Sequence, residues 1–226
     1  MRNLSFSIFG VVLLLTIPLA SAASFPPFSV GSGVTVLDNS GNLLAWGSKA
    51  KALLGDGSIS GEADSPASIT LPNSESAELF ASSGNHFITV SSTGSVYVWG
   101  AQDDGQLGVG SYVPGGFTAS PSTPVVSGTA ITEDGGTIVD LDAGIFFSMI
   151  LTSTGRLFET GDASESIPGI SEDGTFNRSR FSESGITATS TTPFSNGEKI
   201  VDIEAGGDAS SQFALLLLDN GEIWGV

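Results

Sequence analysis

His86-Phe87-Ile88-Thr89-Val90-Ser91-Ser92-Thr93-Gly94-Ser95-Val96-Tyr97-Val98-Trp99-Gly100 is the stretch that decides the fold. Two apolar runs flank a short polar turn that ends in glycine, which is the pattern of a tight β-hairpin. Glycine at the end of that turn supplies a positive φ without a Cβ clash. The pattern recurs from Gly33 to Trp46-Gly47, from Phe146 to Thr160-Gly161 and from Gln212 to Val226. The four turn glycines are Gly41, Gly94, Gly155 and Gly221.

The surroundings of the hairpins repeat too. Ile138-Val139-Asp140-Leu141-Asp142-Ala143-Gly144 and Ile200-Val201-Asp202-Ile203-Glu204-Ala205-Gly206 each precede a hairpin. Both alternate apolar and polar residues and close on glycine, as a half-buried strand does. Glu78 to Gly84 is a weaker copy, and Phe28-Ser29-Val30-Gly31 reads as a shortened one. Short strands joined by glycine turns, in a unit of about 50–65 residues, predict an all-β chain of propeller blades with four strands each. The expected units run over residues 28–79, 80–137 and 138–199, with a partial unit at 200–226.

Composition narrows the chemistry. The 226 residues carry 24 acids against 7 bases, a net charge of −17, while charged residues are only 14% of the chain. Hydrophobic residues are 40%, enough to build a core. Such a charge argues against gripping a nucleic-acid backbone or an anionic membrane surface. The acids fall mostly on turns and on strand positions expected to face solvent, so they read as solubility and not as a site. No cysteine is present, which excludes disulfides, thiolate nucleophiles and cysteine-bound metal. His86 is the sole histidine.

Residues 1–22 read as an export signal. Arg2 gives a positive start, Phe6 to Leu19 is an almost unbroken apolar run, and Ala20-Ser21-Ala22 fits a cleavage site. A membrane span needs roughly 20 apolar residues, more than this run supplies, so an uncleaved anchor is disfavoured. The expected mature chain, residues 23–226, is a secreted one with no membrane attachment.

The second unit carries the most specific motif: Gly84-Asn85-His86, Tyr97-Val98-Trp99-Gly100 and Gly105-Gln106-Leu107-Gly108-Val109-Gly110. Together with Trp46-Gly47 in the first unit, it resembles the repeat of the regulator of chromosome condensation family. The resemblance covers nearly all of residues 28–226. It departs from the pattern at Thr160, where tryptophan is usual, and in lacking a Gly-Gln-Leu-Gly counterpart after it. It implies a β-propeller, commonly of seven blades. The repeats supply about three blades and the opening hairpin of a fourth, whereas a closed ring needs 4–8. This shortfall points to a partial gene product, with closure between two copies as the alternative.

No catalytic, cofactor or metal site emerges. His86 matches a position where the resemblance implies a structural residue that steadies the blade turn. A nucleophilic triad has no GxSxG elbow to rest on. Asp38-Asn39-Ser40-Gly41, Glu133-Asp134-Gly135, Glu172-Asp173-Gly174 and Asp219-Asn220-Gly221 suit Asx-Gly turns better than calcium loops. Gly105–Gly110 lacks the lysine of a phosphate loop and reads as a turn between blades. Trp46 and Trp99 recur at one hairpin phase and are expected to pack between blades. Asn177-Arg178-Ser179 is a glycosylation sequon in an expected polar loop. Residues 111–137 and 162–197 are insertions on which a binding surface is expected. The function expected is a secreted, non-catalytic protein-interaction module. Alternatives are a secreted inhibitor of an extracellular enzyme and, behind it, a nucleotide-exchange factor or a propeller enzyme.

Overall fold

The computed structural model describes residues 7–8, 11–12, 28–30, 33–111, 114–122, 131–162, 177–183, 197–208 and 211–225. The expected export signal lies outside them, apart from the short pair of β1 (Ser7–Ile8) with β2 (Val11–Val12). Residues 112–113 and 123–130 of the first insertion, most of the second, and the Glu172–Gly174 cluster also lie outside them.

The rest is built from antiparallel meanders. The first sheet contains β3 (Phe28–Val30), β4 (Gly33–Leu37), β5 (Leu43–Ser48) and β6 (Glu62–Ile69). The second contains β7 (Ala77–Ser82), β8 (His86–Ser91), β9 (Val96–Ala101) and β10 (Phe117–Ser122). The third contains β11 (Ile138–Ala143), β12 (Phe147–Thr152), β13 (Leu157–Asp162) and β14 (Asn177–Glu183). The fourth has three strands, β15 (Ile200–Asp208), β16 (Ser211–Leu218) and β17 (Ile223–Gly225). Consecutive strands are neighbours throughout, which is the blade of a propeller. The second sheet starts at Ala77, inside the segment assigned from sequence to the first unit.

All four hairpins form where the glycines place them. Gly41, Gly94, Gly155 and Gly221 have φ of 80°, 80°, 87° and 87°. The outer strands β6 and β10 hold Pro66 and Pro121 and carry register shifts, features that edge strands tolerate.

No sheet owns a core. Leu37, Leu43 and Leu54 of the first sheet pack with Phe87, Tyr97 and Trp99 of the second. Ile88, Val98 and Leu107 pack with Leu141, Ile150 and Phe158 of the third. Phe147, Met149 and Leu157 pack with Ile203, Ala214 and Leu216 of the fourth. Period-2 alternation therefore sends successive residues of β8 and β12 into different cores, and every residue of both strands is buried.

Trp99 anchors the first junction. Its ring stacks on Phe87 at 5.1 Å, and its Nε1 donates to the Leu53 carbonyl at 3.1 Å. Gly55 lies under the indole so closely that a Cβ there would sit 3.0 Å from Nε1. In the third unit two residues divide this role. The Thr160 hydroxyl donates to the Gly105 carbonyl at 3.0 Å, while Phe181 from β14 fills the space over Gly108. Trp46 holds the same hairpin phase but lies half-buried on the outer face of the first sheet, paired with Val34. Trp99 lies in the core between the first and second sheets, while no described sheet covers Trp46.

Repeat equivalence exposes one strained corner. Counting from the turn glycines, Lys51 and Ala52 stand where the second unit has Asp104 and Gly105. Both have left-handed backbone, φ 56° and 62°, and Ala52 is fully buried. An L-residue there costs about 1–2 kcal/mol relative to glycine. Ala52→Gly should therefore raise the unfolding free energy measured in urea by about 1 kcal/mol. Gly108→Ala should lower it by about 1–3 kcal/mol, because its Cβ would sit 2.6 Å from the Phe181 ring.

Candidate functional site

The buried polar groups lie between sheets. His86 opens β8 with no exposed surface, facing the third sheet. Its Nε2 lies 2.7 Å from the Ser148 Oγ on β12, and its Nδ1 lies 3.2 Å from the Ser83 Oγ. Ser148 donates to the Gln106 carbonyl at 2.8 Å, so its oxygen accepts from Nε2–H of His86. Nδ1 then accepts from Ser83. The relay ties the Ser83–Asn85 turn, the Gly105–Gly110 loop and the third sheet together. Burial pushes the imidazole down to about 3, so it is neutral and serves as a strut. His86 thus meets Ser83 of its own blade turn through Nδ1 and Ser148 of the next sheet through Nε2.

The Gly105–Gly110 loop lies between the second and third sheets. Leu107 is buried in their shared core, and Val109 makes an isolated bridge to Arg180. Gln106 closes the loop on itself, accepting from Asp104 N at 2.8 Å and donating to Asp103 at 3.2 Å. Other motif glycines are demanded by close approaches. A Cβ at Gly100 would meet His86 Cα at 2.6 Å, and one at Gly144 would overlap the Phe147 ring.

A second inter-sheet device has no counterpart in the sequence reading. Asp140 and Asp142 on β11 reach across to the backbone of β15. Asp140 accepts from Ile203 N at 3.1 Å and Leu141 N at 2.9 Å. Asp142 accepts from Ala205 N and from Ala143 N. Burial lifts Asp140 to about 7, with Asp202 adding to the rise, and lifts Asp142 to about 6. The reading of the acids as solvent-facing fails for these two. Their alternation along β11 is visible in the sequence, but the backbone donors on the first strand of the next unit are not.

The Asx-Gly segments behave as turns. Asp38 accepts from the Asn42 side-chain amide at 2.9 Å, from Asn42 N at 2.9 Å and from Ser40 N at 2.8 Å, which holds its carboxyl below the usual range. Among the described residues no group of three acids or histidines is placed to hold a metal. The sequon expectation fails in part: Asn177 opens β14, opposite Asp162, and is not in a loop. The segment from Asn177 to Glu183 pairs with β13 instead, as the outer strand of the third sheet.

One surface groove stands out beside the second sheet. Pro72, Asn73, Tyr97, Gln102, Thr118 and Pro121 line it, with an open volume of about 620 Å³. Thr118 donates to the Gln102 amide oxygen at 2.9 Å, and the Tyr97 hydroxyl donates to Glu75 at 3.1 Å. Asn73 and Ser74 at its rim have left-handed backbone, φ 58° and 57°.

The meanders, the cores between them and the glycine-framed loop define a β-propeller repeat protein. Residues 93–151 match the model of the regulator of chromosome condensation (RCC1) repeat. The chain is 29% identical to Protein RCC2 of Mus musculus over 141 residues, 62% of this chain and 25% of that protein. The fold is similar to that of human WBSCR16, with a TM-score of 0.69 at 17% identity, over 88% of this chain and 46% of the other. It is also similar to a structure of Kap60 bound to yeast RCC1 (Prp20), with a TM-score of 0.67 at 18% identity. That match takes in 99% of this chain and 50% of the other. The chain thus spans a quarter of the mouse relative and about half of each structure.

The carboxylates on β11 give a pH test. Their folded affinity for protons is raised, so they favour the folded state below about pH 4 and progressively oppose it as pH rises to about 7. Asp140→Asn with Asp142→Asn keeps an acceptor at each site and removes the buried charge. The double variant should gain stability over the parent at pH 8, and the gain should vanish near pH 4. Urea unfolding across that range measures it.

Proposed function

We propose that this chain is a secreted, non-catalytic RCC1-repeat module that binds a protein partner. The observation that carries this reading is the state of its reactive side chains. His86, Ser148 and Thr160 are all buried and hydrogen-bonded across sheet junctions, so the scaffold uses them for rigidity. A fixed scaffold presents its binding groups on connections and outer strands. The groove beside β9 and β10 is such a place, with amide, hydroxyl and proline side chains suited to an extended peptide. A structure of yeast RCC1 is one of a complex with Kap60, which supports the use of this fold for protein binding. Export rests on residues 1–22, whose charged start, apolar run and small-residue end fit a cleaved signal.

Two measurements test the reading. The chain recovered from culture medium should begin at Ala23, and retention of residues 1–22 in a nuclear pool would defeat export. Immobilised chain should capture a protein from the extracellular fluid, and Ser111→Arg with Ser122→Arg, both on the groove wall, should weaken that capture at least tenfold by filling the groove. Capture that ignores both substitutions would remove the groove from the reading. Assay of a captured enzyme with and without the chain then separates an inhibitor from a neutral adaptor.

A further inference from the structure

The groove beside β9 and β10 has uncharged walls and one carboxylate against them. Tyr97 and Asn73 line it, and the Tyr97 hydroxyl donates to Glu75 at 3.1 Å. Ser91 and Thr93 also reach that carboxylate, and with Tyr97 they hold it below the usual range. Glu75 is therefore ionised at physiological pH, and it is only partly buried.

No cation of the described chain answers it. The ion pairs among the described residues are Lys49 with Asp56 and Arg156 with Asp134, and Lys51 donates to Asn85. Hydroxyl donors orient a carboxylate without cancelling its charge, so Glu75 keeps a place for a charge-assisted bond. The backbone is bent to hold it there. Asn73 and Ser74, the two residues before it, are left-handed at φ 58° and 57°. That conformation costs an L-residue energy, and strain of this kind collects at binding sites.

The opposite end of β9 offers a different group. The Thr118 hydroxyl occupies Oε1 of Gln102, and among the described residues Nε2 of Gln102 has no partner. An amide nitrogen of that sort suits a peptide carbonyl. An extended chain reaching from Tyr97 to Gln102 spans roughly 17 Å, about five residues.

We propose that the groove takes an extended segment of a partner protein, with an Arg or Lys side chain seated on Glu75 and a backbone carbonyl on Gln102. The inference rests on the reading of this chain as a protein-binding module and adds the charge that the groove selects. Pro72, next to Asn73 on the wall, gives the aliphatic stem of that side chain an apolar surface. Net charge alone does not choose the place. Glu62 and Asp64 on β6 are exposed acids too, but they have no part in the groove.

Retention of degenerate hexapeptide pools on the immobilised full chain tests this. The pools are acetylated and amidated, with one position fixed as Arg, Lys, norleucine or Glu. The Arg and Lys pools should be retained about tenfold over the norleucine pool, and the Glu pool least. Glu75→Gln, which keeps an acceptor for Tyr97, should abolish that preference. Glu62→Gln with Asp64→Asn should leave it intact, and an equal loss there would mean a diffuse field and overturn the proposal. Micromolar spermine should not displace the Arg pool; displacement would mark a polyamine site and overturn the peptide. Pools that bind without a cationic preference, yet are lost with Ser111→Arg and Ser122→Arg, overturn the seat on Glu75 while the groove stands. Pools held equally with and without those arginines overturn both, and retention of no pool overturns the seat on Glu75.

Discussion

Everything in this chain depends on apolar side chains being shared between successive sheets. A meander of four short strands has two faces and no interior, so it gains a core only by lying against another. The sequence meets that constraint with strands apolar on both faces in the middle of the array, β8 and β12. Some of the polar residues on these and neighbouring strands tie one sheet to the next: His86 to Ser148, Thr160 to Gly105, Asp140 and Asp142 to the backbone of β15. Hydrogen bonds buried in a junction fix its register, because an unpaired partner left in a dry interface is costly.

The same constraint explains how a degenerate repeat survives. Trp99 supplies volume and a donor from one side chain. In the third unit the donor comes from Thr160 and the volume from Phe181, on different strands of one sheet. What is maintained is a filled space over a glycine and a satisfied carbonyl, and the residue that does it is free to change.

Legibility in the sequence follows the range of the interactions. The hairpins are plain because turn glycine and alternating flanks are local, and the weak copies at Phe28 and Glu78 are strands for the same reason. The outer strands are harder. Glu62–Ile69 and Asn177–Glu183 are mostly polar, because an outer edge faces water, and Asn177 accordingly reads as a loop residue. Ser148 as the partner of His86, and the backbone donors facing Asp140, each lie a whole repeat further along the chain, and no local pattern announces them. Trp46 shows the converse: its phase in the hairpin is legible, but its burial depends on what stands against the first sheet.

Three separate cores also set how damage spreads. With each sheet coupled only to its neighbours, stability is distributed along a line, and loss at one junction need not melt the others. Among the described sheets, the second and third pack on both sides, while the first and fourth pack against one described neighbour each. Amide exchange should accordingly be slowest in β8 and β12, the strands buried on both faces.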